Sequence, residues 1–172
     1  MHPITLVYNL AVSCWLGGAA LFTFLLTPLL FASYARDAAG AIVGVLFPGY
    51  FRWGLACGAV ALLCQLINRG RFALASLAII TVMLALTATQ AFVLEPRAAA
   101  LKRSIPSFET TPADNPHRVQ FRKLHGLSMA ANLAVIAGGV ALVILASPVG
   151  PATGPRHTGP EPHPTRTIAP PQ

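Results

Sequence analysis

Between Phe121 and Asn132 the chain places a histidine, His125, and a carboxamide, Asn132, seven residues apart in an apolar run. An imidazole can ligate a metal or haem iron, or carry a proton near neutral pH. A carboxamide both donates and accepts hydrogen bonds. Within a bilayer such side chains are costly, which makes them functional candidates. Seven residues at about 100° each turn roughly 700°, close to two full turns, so the pair shares one helix face about 10 Å apart. Four further polar residues lie in or beside other apolar runs: Arg52, Gln90, Glu95 and Arg97. Together the six can bind or gate a small solute or ion, with Arg52 and Arg97 countering Glu95 or an anionic ligand. His125 would then be a proton-sensitive gate, and Gln90 and Asn132 would hydrogen-bond the cargo or lock helices together.

The elements that position these residues follow from composition. The 172-residue chain is 55% hydrophobic and only 10% charged, where soluble domains run nearer a quarter charged. Its mean hydropathy of +0.63 agrees with a membrane protein. The net charge of +7 sits in linkers and the tail, where basic residues set topology or meet anionic lipid. Nucleic acid is therefore not an expected partner. Cys14, Cys57 and Cys64 all lie in apolar runs without a C-x-x-C pair, so they read as packing residues. Met1 to Pro3 offers no basic segment of a cleavable leader.

Four apolar runs, about 4–33, 41–67, 72–94 and 124–146, each meet the length of roughly 20 residues that a spanning helix needs. Lipid offers no hydrogen bonds, so the runs must be helical. The expected fold is all-α: a four-helix transmembrane bundle over residues 1–146, with a disordered Pro-rich tail over 147–172. Pro28 predicts a kink near the end of the first helix. Pro48 and Gly49 predict a bent or two-piece second helix. Asn9, Ser13 and Gly17 step by four and suggest a small-polar contact stripe, beside Gly18; Gly54 and Gly58 form a G-x-x-x-G packing pair. The linker 68–71 predicts a tight turn, and residues 98–103 a surface extension of the third helix.

Positive charge orients the bundle. Loops one and three hold Arg36, Arg97, Lys102, Arg103, Arg118, Arg122 and Lys123, with Arg52 close by; the other side holds Arg69, Arg71, Arg156 and Arg166. The positive-inside bias places loops one and three in the cytoplasm and both termini outside the inner membrane. Antiparallel order then brings Pro28, Pro48, Arg52, Gln90, Glu95, Arg97 and His125 to one end of the bundle, with Asn132 deeper in the same half. The spacing predicts a polar vestibule there, and a second half lined mainly by small residues.

Each residue also has a plainer role. Arg52 can snorkel to headgroups, Glu95 can pair with Arg97 or Arg52, and Gln90 and Asn132 can simply hold helices together. No cofactor is expected. Haem held by two histidines needs both at one depth on different helices, and only His125 lies in a span. A haem or metal ion bound through His125, or through His125 and Glu95, stays open as an alternative. So does a structural subunit of a homo-oligomer or larger membrane complex. No catalytic residue set is present.

Five segments in order carry a resemblance: Trp15 to Gly18, Thr27 to Phe31, Leu46 to Phe51, Leu94 to Arg97, and Phe121 to Ser128 followed by Asn132. Over residues 4–146 the chain resembles the transmembrane protein 205-like family, which implies a four-helix integral membrane protein without an agreed activity. The Trp15 to Gly18 helix more distantly resembles membrane proteins of the copper-resistance D type, which keeps metal and haem among the alternatives.

Overall fold

The computed structural model describes residues 3–67 and 72–147. Every long element among them is a helix: α1 Pro3–Ser33, α2 Arg36–Ile67, α3 Ala73–Arg103 and α4 Pro116–Ala146. Each is long and apolar enough to cross a membrane. The predicted turn over 68–71 and the tail beyond Ser147 lie outside the described residues.

The helices form a ring in chain order. α1 packs on α2 and α4, and α3 packs on α2 and α4. At 31 or 32 residues each helix is about 47 Å long, against a hydrocarbon core of about 30 Å. The excess lies at one end. Pro3, Ile67, Ala73 and Ala146 mark the other end, and the described residues from there to Phe22, Trp53, Val93 and Leu127 include no Asp, Glu, Lys or Arg. The far ends carry every charged residue of the described helices.

α2 and α4 both start earlier than their apolar runs. α2 begins at Arg36, and α4 at Pro116. At the latter, the Asn115 side chain accepts hydrogen bonds from the amides of His117 at 3.0 Å and Arg118 at 3.4 Å. An asparagine cap followed by proline in the first turn is a strong helix start. The charged first turns of both helices hide that start from a hydropathy reading.

The three prolines beyond the first turns of the described helices are absorbed in two ways. Before Pro28 and Pro96 the helix widens into single π-turns, Leu21–Leu26 and Gln90–Leu94. The Thr27 amide bonds the Phe22 carbonyl, and the Glu95 amide bonds the Gln90 carbonyl, each five residues back. Proline lacks an amide hydrogen and crowds the preceding turn, and a π-turn is one accommodation. Pro48 instead lies inside an uninterrupted α2, so the second helix is not in two pieces.

Packing divides the bundle along its axis. The uncharged half is a dry core in which Tyr8, Val12 and Trp15 of α1 meet Cys57 and Ala61 of α2, Ile80 and Met83 of α3, and Val135 and Leu142 of α4. It is filled by large side chains, not mainly small ones as the sequence suggested. Gly54 and Gly58 admit Trp15: a Cβ on Gly58 would sit 2.7 Å from its ring and 2.5 Å from Leu84. At Gly18 a Cβ would meet Trp53 at 3.1 Å. Gly17 corrects the expected stripe. It and Ser13 are exposed, and a Cβ on Gly17 would meet nothing within 4 Å. The contact face of α1 is Tyr8, Val12, Trp15 and Ala19, where bulk and apolar area outweigh smallness.

Candidate functional site

Above the dry core lies a polar layer built from the two π-turns. Asn132 of α4 donates through Nδ2 to the Thr23 hydroxyl in the α1 π-turn and accepts at Oδ1 from the Tyr50 hydroxyl of α2. Tyr50 in turn stacks on Phe22 at 4.5 Å between ring centroids. One helical turn along α4, Ser128 donates to Gln90 Oε1 in the α3 π-turn at 3.1 Å. Gln90 is 2% exposed. Each π-turn thus presents one polar side chain to α4, and α4 answers with Ser128 and Asn132, four residues apart and so on one face.

Beyond this layer the helix ends part around a cavity of about 340 Å³. Glu95 and His125 both line it, with Ser128 at its boundary to the polar layer. Five phenylalanines line its walls: Phe31, Phe47, Phe51, Phe108 and Phe121. The rings are mutually braced. Phe47 and Phe51 stack at 5.6 Å, Phe108 and Phe121 tilt together at 4.9 Å, and the His125 ring lies parallel to Phe121 at 6.0 Å. Arg36, Lys102 and Arg118 also line it.

The 104–115 segment closes one side of the cavity. Asp37, in the first turn of α2, accepts the Phe108 amide at 2.8 Å and a hydrogen bond from Ser107. Arg118 donates to the Thr111 carbonyl and lies 6.0 Å from the Phe108 ring centre.

The six residues singled out in the sequence therefore separate into three groups. Glu95 and His125 share the cavity. Gln90 and Asn132 sit deeper and hold helices together, so Asn132 does not face the cavity that His125 lines. Arg52 and Arg97 are exposed and do not line it. Arg52 lies about 22 Å from the Ile67 end of α2, a depth from which its stem can reach headgroups. Among the described residues Glu95 forms no ion pair with either arginine. Nor do three His, Cys, Asp or Glu side chains group closely enough there to hold a metal ion. Glu95 and His125 thus have no third protein ligand of those types among the described residues.

Sequence reasoning missed Arg36, Lys102 and Arg118 as site residues because it assigned them to topology. It missed the aromatic walls because apolar runs do not say which face a ring occupies. The available signal was the recurrence of phenylalanine at 47, 51 and 121, near the helix starts that carry the basic residues.

Residues 10–107 match the family model described as a domain of unknown function, DUF4149. The match runs from α1 through α3 into the segment closing the cavity. The chain is also 33% identical over 125 residues to an uncharacterized protein of Aquifex aeolicus (strain VF5), covering 73% of this chain and 83% of that protein. No solved structure matches. The chain belongs to the DUF4149 family.

Proposed function

We propose that this member of the DUF4149 family binds a small solute in the cavity between its parted helix ends and helps it to or from the membrane. One observation carries the reading: a cavity of about 340 Å³, within the size range of small-molecule sites, is lined by an ionisable pair, Glu95 and His125, at the charged end of an otherwise apolar bundle. The polar layer beneath it supports the same reading. It closes the floor with hydrogen bonds between helices and no charged group. The positive-inside bias supports a cavity that opens on the cytoplasmic side of an inner membrane. The residues that resemble the transmembrane protein 205-like family, Leu46 to Phe51, Leu94 to Arg97 and Phe121 to Ser128, fall on or beside the cavity walls.

The test is native mass spectrometry of the detergent-purified full chain beside a cavity-filled variant, Gly44→Phe. Gly44 lines the cavity, and a Cβ placed on it would meet only the Lys102 ammonium, at 3.9 Å. The wild type should retain a non-protein mass that the variant, with an unchanged melting temperature, loses. Equal spectra would contradict the reading and favour a purely structural subunit.

A further inference from the structure

We infer that the cavity takes an amphiphilic anion: an anionic head group carried on an apolar body. The inference rests on the reading of the cavity as a ligand site and names the class of ligand.

Charge is the first argument. Three cations, Arg36, Lys102 and Arg118, line the cavity against one carboxylate, Glu95. The nearby acid, Asp37, is engaged by Ser107 and the Phe108 amide. The Lys102 ammonium makes no hydrogen bond or salt bridge among the described residues, and its charge is attracted by Asp37. It lies along two glycines of α2, with Nζ 3.3 Å from where a Gly40 Cβ would be and 3.9 Å from that of Gly44. An alanine at position 40 would require the ammonium to give by a few tenths of an ångström. Arg118 is fixed at the other side by the Thr111 carbonyl and the Phe108 ring. Lys102 and Arg118 thus line the cavity while also attracting Asp37, and with Arg36 the three cations still outnumber the two carboxylates, Glu95 and Asp37.

Position is the second argument. On each helix the cation lies farther from the dry core than the apolar wall. Lys102 is eight residues beyond Leu94, and Arg118 six residues before Leu124, which is about 12 Å and 9 Å along the respective axes. Arg36 precedes Phe51 by fifteen residues, about 22 Å. The cavity is mainly apolar toward the level of the hydrocarbon, where Glu95 and His125 are its ionisable side chains, and cationic toward the level of the headgroups. That gradient matches an amphiphile lying parallel to the surrounding lipid. A small inorganic anion would leave the aromatic walls unused, and a neutral apolar molecule would leave the surplus positive charge unmatched.

The test is the melting temperature of the full chain in neutral detergent as three probes are titrated in: phosphatidylglycerol, phosphatidylcholine with the same acyl chains, and inorganic phosphate. Phosphatidylglycerol should raise the melting temperature saturably, and the other two should not. Lys102→Gln, which removes a charge but no hydrogen bond of the fold, should weaken that response at least tenfold. Lys123→Gln, an exposed cation on the same membrane side but outside the cavity, should leave it unchanged. Equal responses to both lipids, a response to inorganic phosphate alone, or equal losses in the two lysine variants would overturn the inference. If phosphatidylcholine binds and Gly44→Phe abolishes that binding, the anionic preference fails while the solute site stands. If no probe shows a Gly44→Phe-sensitive response, both fail.

Discussion

The Ser128 hydroxyl of α4 donates to Gln90 Oε1 of α3 at 3.1 Å, at the residue where α3 enters its π-turn. Gln90 is buried, so its carboxamide has no exchange of that bond for water without opening the bundle. Hydrogen bonds between membrane helices are worth about 0.6 kcal/mol on average and up to about 1.7. A double-mutant cycle of Gln90→Leu and Ser128→Ala should give a coupling of about 0.5–1.5 kcal/mol in reversible unfolding from detergent. A coupling of zero would show that the contact contributes nothing to the bundle.

Glycine substitutions should separate packed from unpacked positions. Gly58→Ala drives a methyl into Trp15 and Leu84, and overpacking of this kind costs about 1–3 kcal/mol. Gly17→Ala, which meets nothing, should leave the melting temperature unchanged or slightly raised, as alanine is the better helix former. Equal losses at both positions would mean that the exposed face of α1 is covered in the assembled protein.

Much of this architecture was legible in the sequence, for reasons that particular residues show. The four helices follow from apolar length alone, because lipid leaves the backbone no other way to pair. The common end of Glu95 and His125 follows from antiparallel order. What spacing did not reveal was the level along the axis at which the helices part. His125 and Asn132 share a helix face within about 20°, yet one lines a cavity and the other bonds Thr23 and Tyr50. The difference arises along the axis, where Pro28 and Pro96 convert the neighbouring turns to π-geometry and change what α4 meets at each level. The helix starts at Arg36 and Pro116 were hidden because charged first turns resemble loops on a hydropathy scale, although Asn115 before Pro116 is itself a start signal.

Orientation is testable apart from any ligand. The surplus of Arg and Lys at the cavity end predicts that an alkaline phosphatase fused after Gln172 is active in living cells and that a green fluorescent protein fused there is dark. Both reporters inserted at residue 110, in loop three, should behave in the opposite way. The reverse pattern would place the cavity on the outer face of the membrane.

The absorption spectrum of the purified protein decides the haem alternative. The ring of His125 stacks on Phe121, and His117 lies eight residues earlier on the same helix, about 12 Å away along its axis. The two cannot clasp one iron from opposite sides, which leaves His125 alone on α4 as a ligand; on the solute-site reading no Soret band is expected, and His125→Ala should leave the spectrum unchanged. A Soret band in the wild type that is lost in His125→Ala would replace the solute-site reading with a redox one.

The central claim is that a small molecule occupies the cavity walled by Phe47 and Phe121. Photo-crosslinking in living cells tests it most directly, with benzoylphenylalanine in place of Phe47, on the cavity wall, and separately in place of Phe24, which is 61% exposed on the outside of the bundle. The Phe47 probe should capture a discrete low-mass adduct that Gly44→Phe abolishes, while the Phe24 probe yields only the bulk lipid mixture. Identical adducts from both positions, or an adduct at Phe47 indifferent to Gly44→Phe, would contradict the claim.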